Sequence, residues 1–386
     1  MKILFVVSRP IEINTSASIR NKSLINGMCE LGHEVDYLTS VPDKNHSNYD
    51  SSLSLNVHKS YYFEVGGIQK IAKFSRKFNF LKKFKSFIYK MLENKNIYDN
   101  LKGICDFADK KYIDINSYDL VISSSDPKSS HLFVKNFFDK YGKQVKWYQI
   151  WGDPFLDDIT NKSDKKKDKL IFKEEYSLLK KADKIFYVTK PTVEKQQSIY
   201  PTESSKMIYT PIPYEKKIIY GINEKNMENF TLLYTGDFNS SIRDIEPLLE
   251  SFENSKHKLI ICGDSDLNIK SSESIKILPR QKYSEIKKLE ESSDILIHLS
   301  NLKGTQIPGK IYQYSGTNKP ILFILDGEKK MIMENFKDIE DRYIFCQNTK
   351  EDILDKINSL NLTKSNYNPV EKFDKVNIVK NIFKEN

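Results

Sequence analysis

ILIHLSNLKGTQIPGKIYQYSGTNKPILFIL, residues 295–325, is the most informative segment of this sequence. It reads as an apolar strand, a glycine-bearing turn, a lysine, a helix and a second apolar strand that follows Pro320. Gly304 and Gly309 allow the backbone to approach a ligand closely. Lys310 and the start of the new helix supply positive potential. This pattern predicts an anion site that suits a phosphate or a diphosphate.

The same turn resembles a nucleotide-binding P-loop, in which two glycines precede a lysine. The residue after Lys310 is Ile311, whereas the P-loop needs a serine or threonine hydroxyl for magnesium. Pro308 also removes an N–H group from a loop that would work by donating such groups. These two residues argue against an NTPase. A turn that serves only backbone geometry stays an open alternative.

The chain has 386 residues, which is too long for one ordinary core, so we expect two domains. No apolar run approaches the roughly 18 residues that a membrane-spanning helix needs. The start, MKILFVVSRP, reads as a first strand and not as a signal peptide. The four cysteines show no paired spacing, which argues against a zinc site or a disulfide framework. We therefore expect a cytoplasmic protein.

Strand and helix patterns alternate in two successive blocks. Strands are expected at 2–7, 31–39, 118–125, 144–152 and 184–189, and then at 230–236, 258–264, 277–279, 294–300 and 320–325. Helices are expected at 16–31, 174–182, 242–252, 283–292 and 369–386. This alternation predicts an α/β fold with two Rossmann-like, doubly wound domains.

The segment TPIPYE, residues 210–215, reads as the linker between the two domains because it holds two prolines and no regular period. We expect an N-terminal domain at 1–210, a C-terminal domain at 211–369 and a C-terminal helix at 370–386. Packing of that helix on the N-terminal domain is an open alternative. Ligands of open parallel sheets bind at the carboxyl ends of the strands, so we expect a site in a cleft between the domains.

A basic segment at 68–92 has a definite helical period. Residues 66–92 contain no Asp or Glu, whereas the following basic residues fall there: Lys70, Lys73, Arg76, Lys77, Lys82, Lys83, Lys85 and Lys90. Apolar residues recur in steps of three and four at Ile71, Phe74, Phe78, Leu81, Phe84, Ile88 and Met91. The pattern predicts an amphipathic helix that lies in an anionic membrane surface. A cationic helix packed on its own domain is the alternative, and no motif supports a nucleic-acid partner.

Several segments together resemble the GT-B glycosyltransferases, and most of all glycosyltransferase family 4. They are LGHEV near the start, KKADKIFYVT followed by SKMIYTPIPYE, LLYTGDF, LIICGD and IPGKIYQYSGTNKPIL. These segments stand in the family's order and span nearly the whole chain. The resemblance implies a GT-B fold, with two domains facing across a cleft and a nucleotide-sugar donor bound by the second domain.

The resemblance also implies which residues would bind the donor. Gly236 falls on the glycine after the first strand of the second domain, and Arg243 falls where the family's diphosphate-binding lysine lies. Lys310 falls on the family's lysine before the late helix. The loop with Arg280 and Gln281 falls where the family holds the nucleobase. The turn residues expected to contact the donor are Thr305, Gln306, Ile307, Pro308 and Gly309.

The chain departs from the family pattern at three donor-site positions. Two glutamates are usual where Thr305 and Gln313 stand, and an arginine is usual where Asp237 stands. Gln313 can still form a hydrogen bond with a ribose hydroxyl, but Thr305 cannot supply a carboxylate. Because one diphosphate cation is missing, Arg243 and Lys310 would have to carry more of the charge.

The first domain offers one candidate donor contact, Ser16, and several candidate acceptor residues. Ser16 occupies the place of the family's usual Gly-Gly loop, ahead of Arg20 in the first helix. Trp151 and Asp153 end a strand, where the tryptophan could stack on a sugar and Asp153 could orient an acceptor hydroxyl or act as a base. The alternatives are a core Trp151 and a helix-capping Asp153. Asp126, followed by Pro127, is a similar strand-end pair.

The triplet Asp264-Ser265-Asp266 looks like a metal-binding DxD motif, but it directly follows a strand, where we expect it to cap a turn. We expect no metal and no cofactor, with the nucleotide-sugar donor as a substrate.

The sequence and its resemblance together predict a metal-independent glycosyltransferase that moves a sugar from a nucleoside-diphosphate sugar to a lipid-linked or glycan acceptor. The resemblance implies retention of configuration and a role in surface polysaccharide biosynthesis. A UDP-sugar is the first candidate donor, with GDP- and dTDP-sugars left open. The predicted location is the cytoplasmic face of the cell membrane, as a peripheral protein. The open alternatives are a nucleotide-sugar 2-epimerase on the same fold and a non-catalytic nucleotide-sugar or membrane-binding module.

Overall fold

The computed structural model describes residues 1–65, 97–159, 164–221, 229–360 and 367–384. The predicted amphipathic helix at 68–92 lies outside the described residues. The chain divides into two compact units. The N-terminal unit comprises Met1–Tyr49, Ser54–Val188 and Val193–Tyr209, and the C-terminal unit comprises Asp50–Leu53, Thr189–Thr192 and Thr210–Asn386.

The N-terminal unit is built on a seven-stranded parallel sheet. Its strands are β1 Lys2–Val6, β2 Glu34–Ser40, β3 Lys59–Phe63, β4 Leu120–Ser124, β5 Lys146–Trp151, β6 Lys184–Tyr187 and β7 Met207–Tyr209. They lie side by side in the order β3-β2-β1-β4-β5-β6-β7. The helices described in this half of the chain are α1 Ser16–Glu30, α2 Ser129–Tyr141, α3 Lys165–Lys181 and α4 Lys190–Ile199.

The C-terminal unit is built on a six-stranded parallel sheet. Its strands are β8 Thr231–Thr235, β9 Lys258–Cys262, β10 Ile275–Leu278, β11 Ile295–Leu299, β12 Ile321–Leu325 and β13 Ile344–Gln347. Their order in the sheet is β10-β9-β8-β11-β12-β13. The described helices are α5 Glu246–Ser251, α6 Tyr283–Ser292, α7 Lys310–Tyr314, α8 Lys329–Phe336, α9 Lys350–Ser359 and α10 Lys375–Phe383.

The central strands are continuous apolar runs because helices cover both faces of each sheet. Every residue of β11 and β12 is buried, and so is every residue of β4. The parallel register pairs Ile3 with Leu120 in one sheet and Ile295 with Leu232 in the other. The predicted α/β class with two Rossmann-like domains is confirmed.

The strand order of each sheet reverses once, and this reversal locates the site. The reversal lies between β1 and β4 in the N-terminal unit and between β8 and β11 in the C-terminal unit. In open parallel sheets, ligands bind outside the carboxyl ends of the strands at such a reversal, because the loops there diverge and leave a crevice. The loops at this end of each sheet therefore hold the candidate functional residues.

Three helices differ from the sequence-based prediction. The helix expected at 242–252 begins only at Glu246, because Ile242 and Arg243 form a turn in which both N–H groups donate to the Asn239 carbonyl oxygen. Helix α3 starts at Lys165, nine residues before the predicted start at 174, with Asp164 as its N-cap. Helix α10 begins at Lys375, six residues after the predicted start at 369.

None of the helices within the described ranges combines the length and the apolar character that crossing a bilayer requires.

Substitution of Gly316 tests the packing of the C-terminal unit. A Cβ atom at this position would lie 2.6 Å from Cγ of Tyr214, whose side chain is only 1% exposed and has no room to withdraw. We expect Gly316→Ala to lower the free energy of unfolding by about 1–3 kcal/mol through overpacking. Gly221→Ala is the matched control, since a Cβ there meets nothing within 4 Å. Urea unfolding measures both, and equal stability of the two variants would contradict this packing.

Candidate active site

The loops that follow β8 and β9 approach each other at two glycines in the C-terminal unit. A Cβ atom on Gly263 would lie 2.1 Å from the carbonyl oxygen of Gly236, so only glycine fits there. Gly236 itself has a φ of 144°, which a residue with a side chain rarely adopts. The approach brings Asp237 to Asp264, whose backbone N–H donates to the Asp237 carboxylate at 3.1 Å.

Arg243 joins the loops that follow the two strands at the reversal. Its Nε donates to Oδ1 of Asn301 at 3.1 Å, and its Nη1 donates to the carbonyl oxygen of Asp237. Asn301 is buried and is held in turn by donating to the Gln306 carbonyl oxygen at 2.9 Å. Among the residues that the structure describes, Arg243 has no carboxylate partner. Its guanidinium is thus fixed in place while its charge stays available to an anion.

Lys310 is the first residue of α7, and it lies beside a buried acid. Its Nζ is 3.2 Å from Oε1 of Glu290, a carboxylate that also takes Lys287 at 2.6 Å. One carboxylate thus meets two ammonium groups, which leaves one unit of positive charge in this cluster. Because α7 has only five residues, its dipole contributes less positive potential than the sequence suggests.

Burial lowers the pKa of Lys310 below its ordinary value, although the charge of Glu290 acts in the opposite direction. Burial would also raise the pKa of Glu290, but the charges of Lys310 and Lys287 outweigh it and hold that pKa below its ordinary value. The carboxylate therefore stays ionised at neutral pH.

Arg280 is less available to a ligand than the sequence suggests. Its guanidinium pairs with the carboxylate of Asp237, and its Nε lies 3.2 Å from the carboxylate of Asp264. Its neighbour Gln281 donates its side-chain amide to the Pro279 carbonyl oxygen at 3.0 Å. Two carboxylates thus hold Arg280, and the positive charge available to a ligand comes from Arg243 and the lysine cluster.

The backbone turn before α7 lies beside Arg243 and Lys310, but several of its side chains point into the protein interior. Thr305, Gln306 and Ile307 are buried, whereas Pro308 and Gly309 are half-buried. The amide of Gln313 is used structurally, since it accepts from the Glu215 N–H at 3.2 Å and donates to the Pro213 carbonyl oxygen at 2.9 Å. A ribose contact from Gln313 would compete with these two bonds.

Asp266 has a turn-capping role, as expected from the sequence. Its carboxylate accepts from the backbone N–H of Ser240 at 2.8 Å and from the Ser240 hydroxyl at 2.6 Å. Across the described ranges, no group of three or more His, Cys, Asp or Glu side chains is arranged to hold a metal ion.

The N-terminal unit holds a second cluster of charged side chains at its own strand reversal. Asp126 follows β4 and Asp153 follows β5. Lys128 bridges the carboxylates of Asp126 and Asp158, the latter at 3.1 Å. Arg20, buried in α1, donates to the Ser125 carbonyl oxygen. The sequence drew attention to Asp153 and to the Asp126-Pro127 pair, but it gave no sign of the bridging lysine.

The carboxyl groups of Asp126 and Asp153 share one proton. Burial, followed by the charge of Asp126, raises the pKa of Asp153 to about 8. Burial acts on Asp126 in the same direction, but Lys128 outweighs it and lowers the pKa of Asp126. At neutral pH, Asp153 is therefore mostly protonated and donates to Asp126. Asp153 is not a helix cap, because Asp164 caps α3.

Trp151 and His131 belong to the core beneath this cluster. Trp151 is 0% exposed, and its Nε1 donates to Oε1 of Gln149 at 3.0 Å. The core alternative for Trp151 is therefore confirmed, and the sugar-stacking one is wrong. His131 stacks on Trp151 at a centroid distance of 4.2 Å, and burial lowers its pKa to about 3, so it stays neutral. Ser16, by contrast, is exposed at the first residue of α1.

Asp153 generates a prediction about stability and pH. Its pKa is about 8 in the folded state, against an ordinary value of 3.8. Between these two pH values, the folded state keeps a proton that the unfolded state has released. Stability contributed by the protonated group therefore falls as the pH rises through this window. We expect the free energy of unfolding of the wild type, relative to Asp153→Asn, to decrease steadily from about pH 5 to about pH 8.

Urea unfolding at a series of pH values measures this difference. Asp168→Asn, which removes a carboxylate from the first turn of α3, is the matched control. A difference between wild type and Asp153→Asn that stays flat or increases across the range would show that Asp153 is an ordinary acid.

Comparison with solved structures finds the same architecture in several glycosyltransferases. TarM matches with 10% identity over 99% of this chain and 98% of its own, at a TM-score of 0.64. The apo form of the lipopolysaccharide outer core galactosyltransferase WaaB matches with 14% identity over 99% and 98%, at a TM-score of 0.55. The catalytic domain of starch synthase IV from Arabidopsis thaliana, bound to ADP and acarbose, matches with 8% identity over 100% and 96%, at 0.59.

At the level of sequence, neither a protein-family model nor a curated protein matches this chain. Identities this low show the fold alone. Two Rossmann-like units on parallel sheets of seven and six strands, and this likeness along the full length, show that the chain has the GT-B fold.

Proposed function

We propose that this protein is a glycosyltransferase that transfers a sugar from a nucleoside-diphosphate sugar to an acceptor hydroxyl. The observation that carries the proposal is the position of Arg243 and Lys310. They follow β8 and β11, the two strands at the reversal of the C-terminal sheet, and Arg243 has no carboxylate partner among the described residues. The starch synthase among the structural neighbours contains ADP, which supports a nucleoside diphosphate as the ligand class.

The leaving diphosphate is the main chemical problem in such a reaction. Negative charge develops on its oxygen as the glycosidic bond breaks, and cations fixed in place stabilise that charge at no further cost in reorganisation. Arg243 would bind two phosphate oxygens through its planar guanidinium, while Lys310 would act as a point charge. Two protein cations in these roles would make the reaction independent of a metal.

On the acceptor side, we assign Asp153 the role of orienting a hydroxyl. With a pKa of about 8, it is ionised to only about one tenth at pH 7, and its proton is donated to Asp126, so its other oxygen would accept a hydrogen bond from the acceptor hydroxyl. A front-side displacement with retention, in which a diphosphate oxygen takes the acceptor proton, needs no protein base and fits a protonated Asp153. Retention itself is part of the proposal through the resemblance to glycosyltransferase family 4.

The finer parts of the proposal rest on sequence and resemblance. We propose a UDP-sugar donor before a GDP- or dTDP-sugar, a lipid-linked or glycan acceptor, and a role in surface polysaccharide biosynthesis. The basic segment at 68–92 would hold the protein at the cytoplasmic face of the membrane.

One structural observation bears on the 2-epimerase alternative. That chemistry needs clustered carboxylates with a histidine, and Asp126, Asp153 and Asp158 do form a cluster next to Lys128. His131, however, is fully buried, neutral and bonded to the Ser123 hydroxyl at 2.7 Å, so it cannot exchange protons with a substrate. Sugar transfer is therefore the better supported function.

Incubation with UDP-, GDP- and dTDP-sugars tests the reaction class. A transferase releases the nucleoside diphosphate from at least one donor, and release rises when a hydroxyl acceptor is added. A C2 epimer without release of nucleotide would establish the epimerase instead. Binding without any turnover would establish the non-catalytic module.

Arg243→Ala and Lys310→Ala test the diphosphate contacts. We expect each to cost about 2–4 kcal/mol of transition-state stabilisation, a loss of about 30- to 1,000-fold in kcat/KM. Arg243→Lys should recover part of the loss, because it restores the charge without the second hydrogen bond. Lys303→Ala removes an exposed cation from the same turn and serves as the control. Wild-type rates in both alanine variants would exclude the two residues from the mechanism.

The membrane contact has its own test. Replacing Lys82, Lys83 and Lys85 by glutamine should weaken binding to phosphatidylglycerol vesicles by about 3 kcal/mol, since each lysine near an anionic surface contributes about 1 kcal/mol. Replacing Lys165, Lys166 and Lys167 by glutamine removes the same charge from the first turn of α3 and is the matched control. Co-sedimentation measures both. Equal loss in the two variants, or none in either, would reject docking through this segment.

A further inference from the structure

Glu290 is a fully buried carboxylate that the sequence does not mark as functional. It lies on α6 at 0% exposure, where one ammonium group and one hydroxyl donate to Oε2 and a second ammonium group forms an ion pair with Oε1. Lys287 reaches it at 2.6 Å, the Tyr220 hydroxyl at 3.2 Å and Lys310 at 3.2 Å. A carboxylate taken out of water is costly unless it is paired and hydrogen-bonded, so this acid persists only because of these partners.

The two lysines are less deeply buried than the acid they share. The side chain of Lys287 is 20% exposed and that of Lys310 is 26% exposed, against 0% for Glu290. Each lysine side chain therefore keeps a partly exposed surface while the carboxylate lies beneath. One negative charge against two positive ones leaves the cluster cationic.

We propose that Glu290 is a positioning residue that keeps Lys310 charged and correctly placed to receive the diphosphate of the donor. This inference rests on the proposed function for its ligand, whereas its physical basis is the contact between the two side chains. A buried ammonium group without a counter-charge tends to lose its proton, and a neutral amine would bind a diphosphate poorly. The carboxylate prevents that loss without cancelling the charge of both lysines.

The other titratable groups around Lys310 do not replace the carboxylate. Burial raises the pKa of Cys262 at the end of β9, and the pKa values of Tyr220, Tyr283 and Tyr314 are raised well above their ordinary value, so these groups stay neutral. Lys287 opposes the charge of Lys310 by repulsion. Within the described part of the chain, Glu290 is thus the carboxylate that holds the proton on Lys310.

Two substitutions should move the proton equilibrium of Lys310 in opposite directions. Glu290→Gln removes the favourable charge, so Lys310 should lose its proton at a lower pH than in the wild type. Lys287→Gln removes the repulsive charge, so Lys310 should keep its proton to a higher pH. A merely structural role of Glu290 would not produce a pair of shifts with opposite signs.

The experiment has two readouts on the full-length protein. Reductive methylation followed by mass spectrometry reports the protonation of Lys310 against pH without any ligand. Calorimetry with UDP, GDP and dTDP reports binding between about pH 7 and about pH 9.5, where we expect Glu290→Gln to lose at least tenfold in affinity and the wild type about threefold at most. Glu290→Asp keeps a carboxylate and should restore most of the wild-type pH profile.

Glu285→Gln is the matched control, because Glu285 lies on the same helix and pairs with Lys288 at 2.9 Å on the exposed face. Its profiles should coincide with those of the wild type. Unchanged Lys310 titration in both Glu290→Gln and Lys287→Gln would overturn the inference, whatever the protein binds. Shifts of the expected signs in a protein that binds no nucleoside diphosphate would uphold the charge role of Glu290 and overturn the proposed function.

Discussion

Parallel strand pairing is the constraint on which the rest of this structure depends. Because helices cover both faces of each sheet, the strands carry almost only apolar side chains and the charged groups must lie beyond the strand ends. The reversal of strand order then selects which ends diverge. Arginine, lysine and aspartate side chains cluster at these strand ends in both units. They lie around Arg243 and Lys310 in the C-terminal unit, and around Asp126 and Lys128 in the N-terminal unit.

Charge balance separates the two clusters and suggests different partners. In the C-terminal unit, two acids pair with Arg280, and the excess positive charge comes from Arg243 and from two lysines that share Glu290. That surplus suits a diphosphate. In the N-terminal unit, Lys128 and Arg20 are matched by carboxylates, and Asp153 holds a proton at neutral pH. A nearly neutral carboxyl group with an oxygen left to accept a hydrogen bond suits an uncharged hydroxyl better than an anion.

The sequence predicts the buried strands well because their apolar runs are continuous, but it misses β3, β7 and β13, which lie at sheet edges. The order of the family-like segments along the chain is what points to Arg243 and Lys310 as candidate diphosphate contacts. Glu290 is not, because a glutamate among charged residues of a helix such as YSEIKKLEES looks solvent-exposed, and only tertiary packing brings it to Lys310. The amide of Gln313 is likewise occupied by backbone groups from another part of the chain.

A crystal structure of the full-length protein with UDP, or with GDP or dTDP if one of them binds more tightly, tests the central claim most directly. We predict that the diphosphate oxygens lie within hydrogen-bond distance of the Arg243 guanidinium and the Lys310 ammonium group, at the carboxyl ends of β8 and β11. A nucleotide bound elsewhere, or one bound there with its diphosphate beyond hydrogen-bond distance of both Arg243 and Lys310, would contradict it.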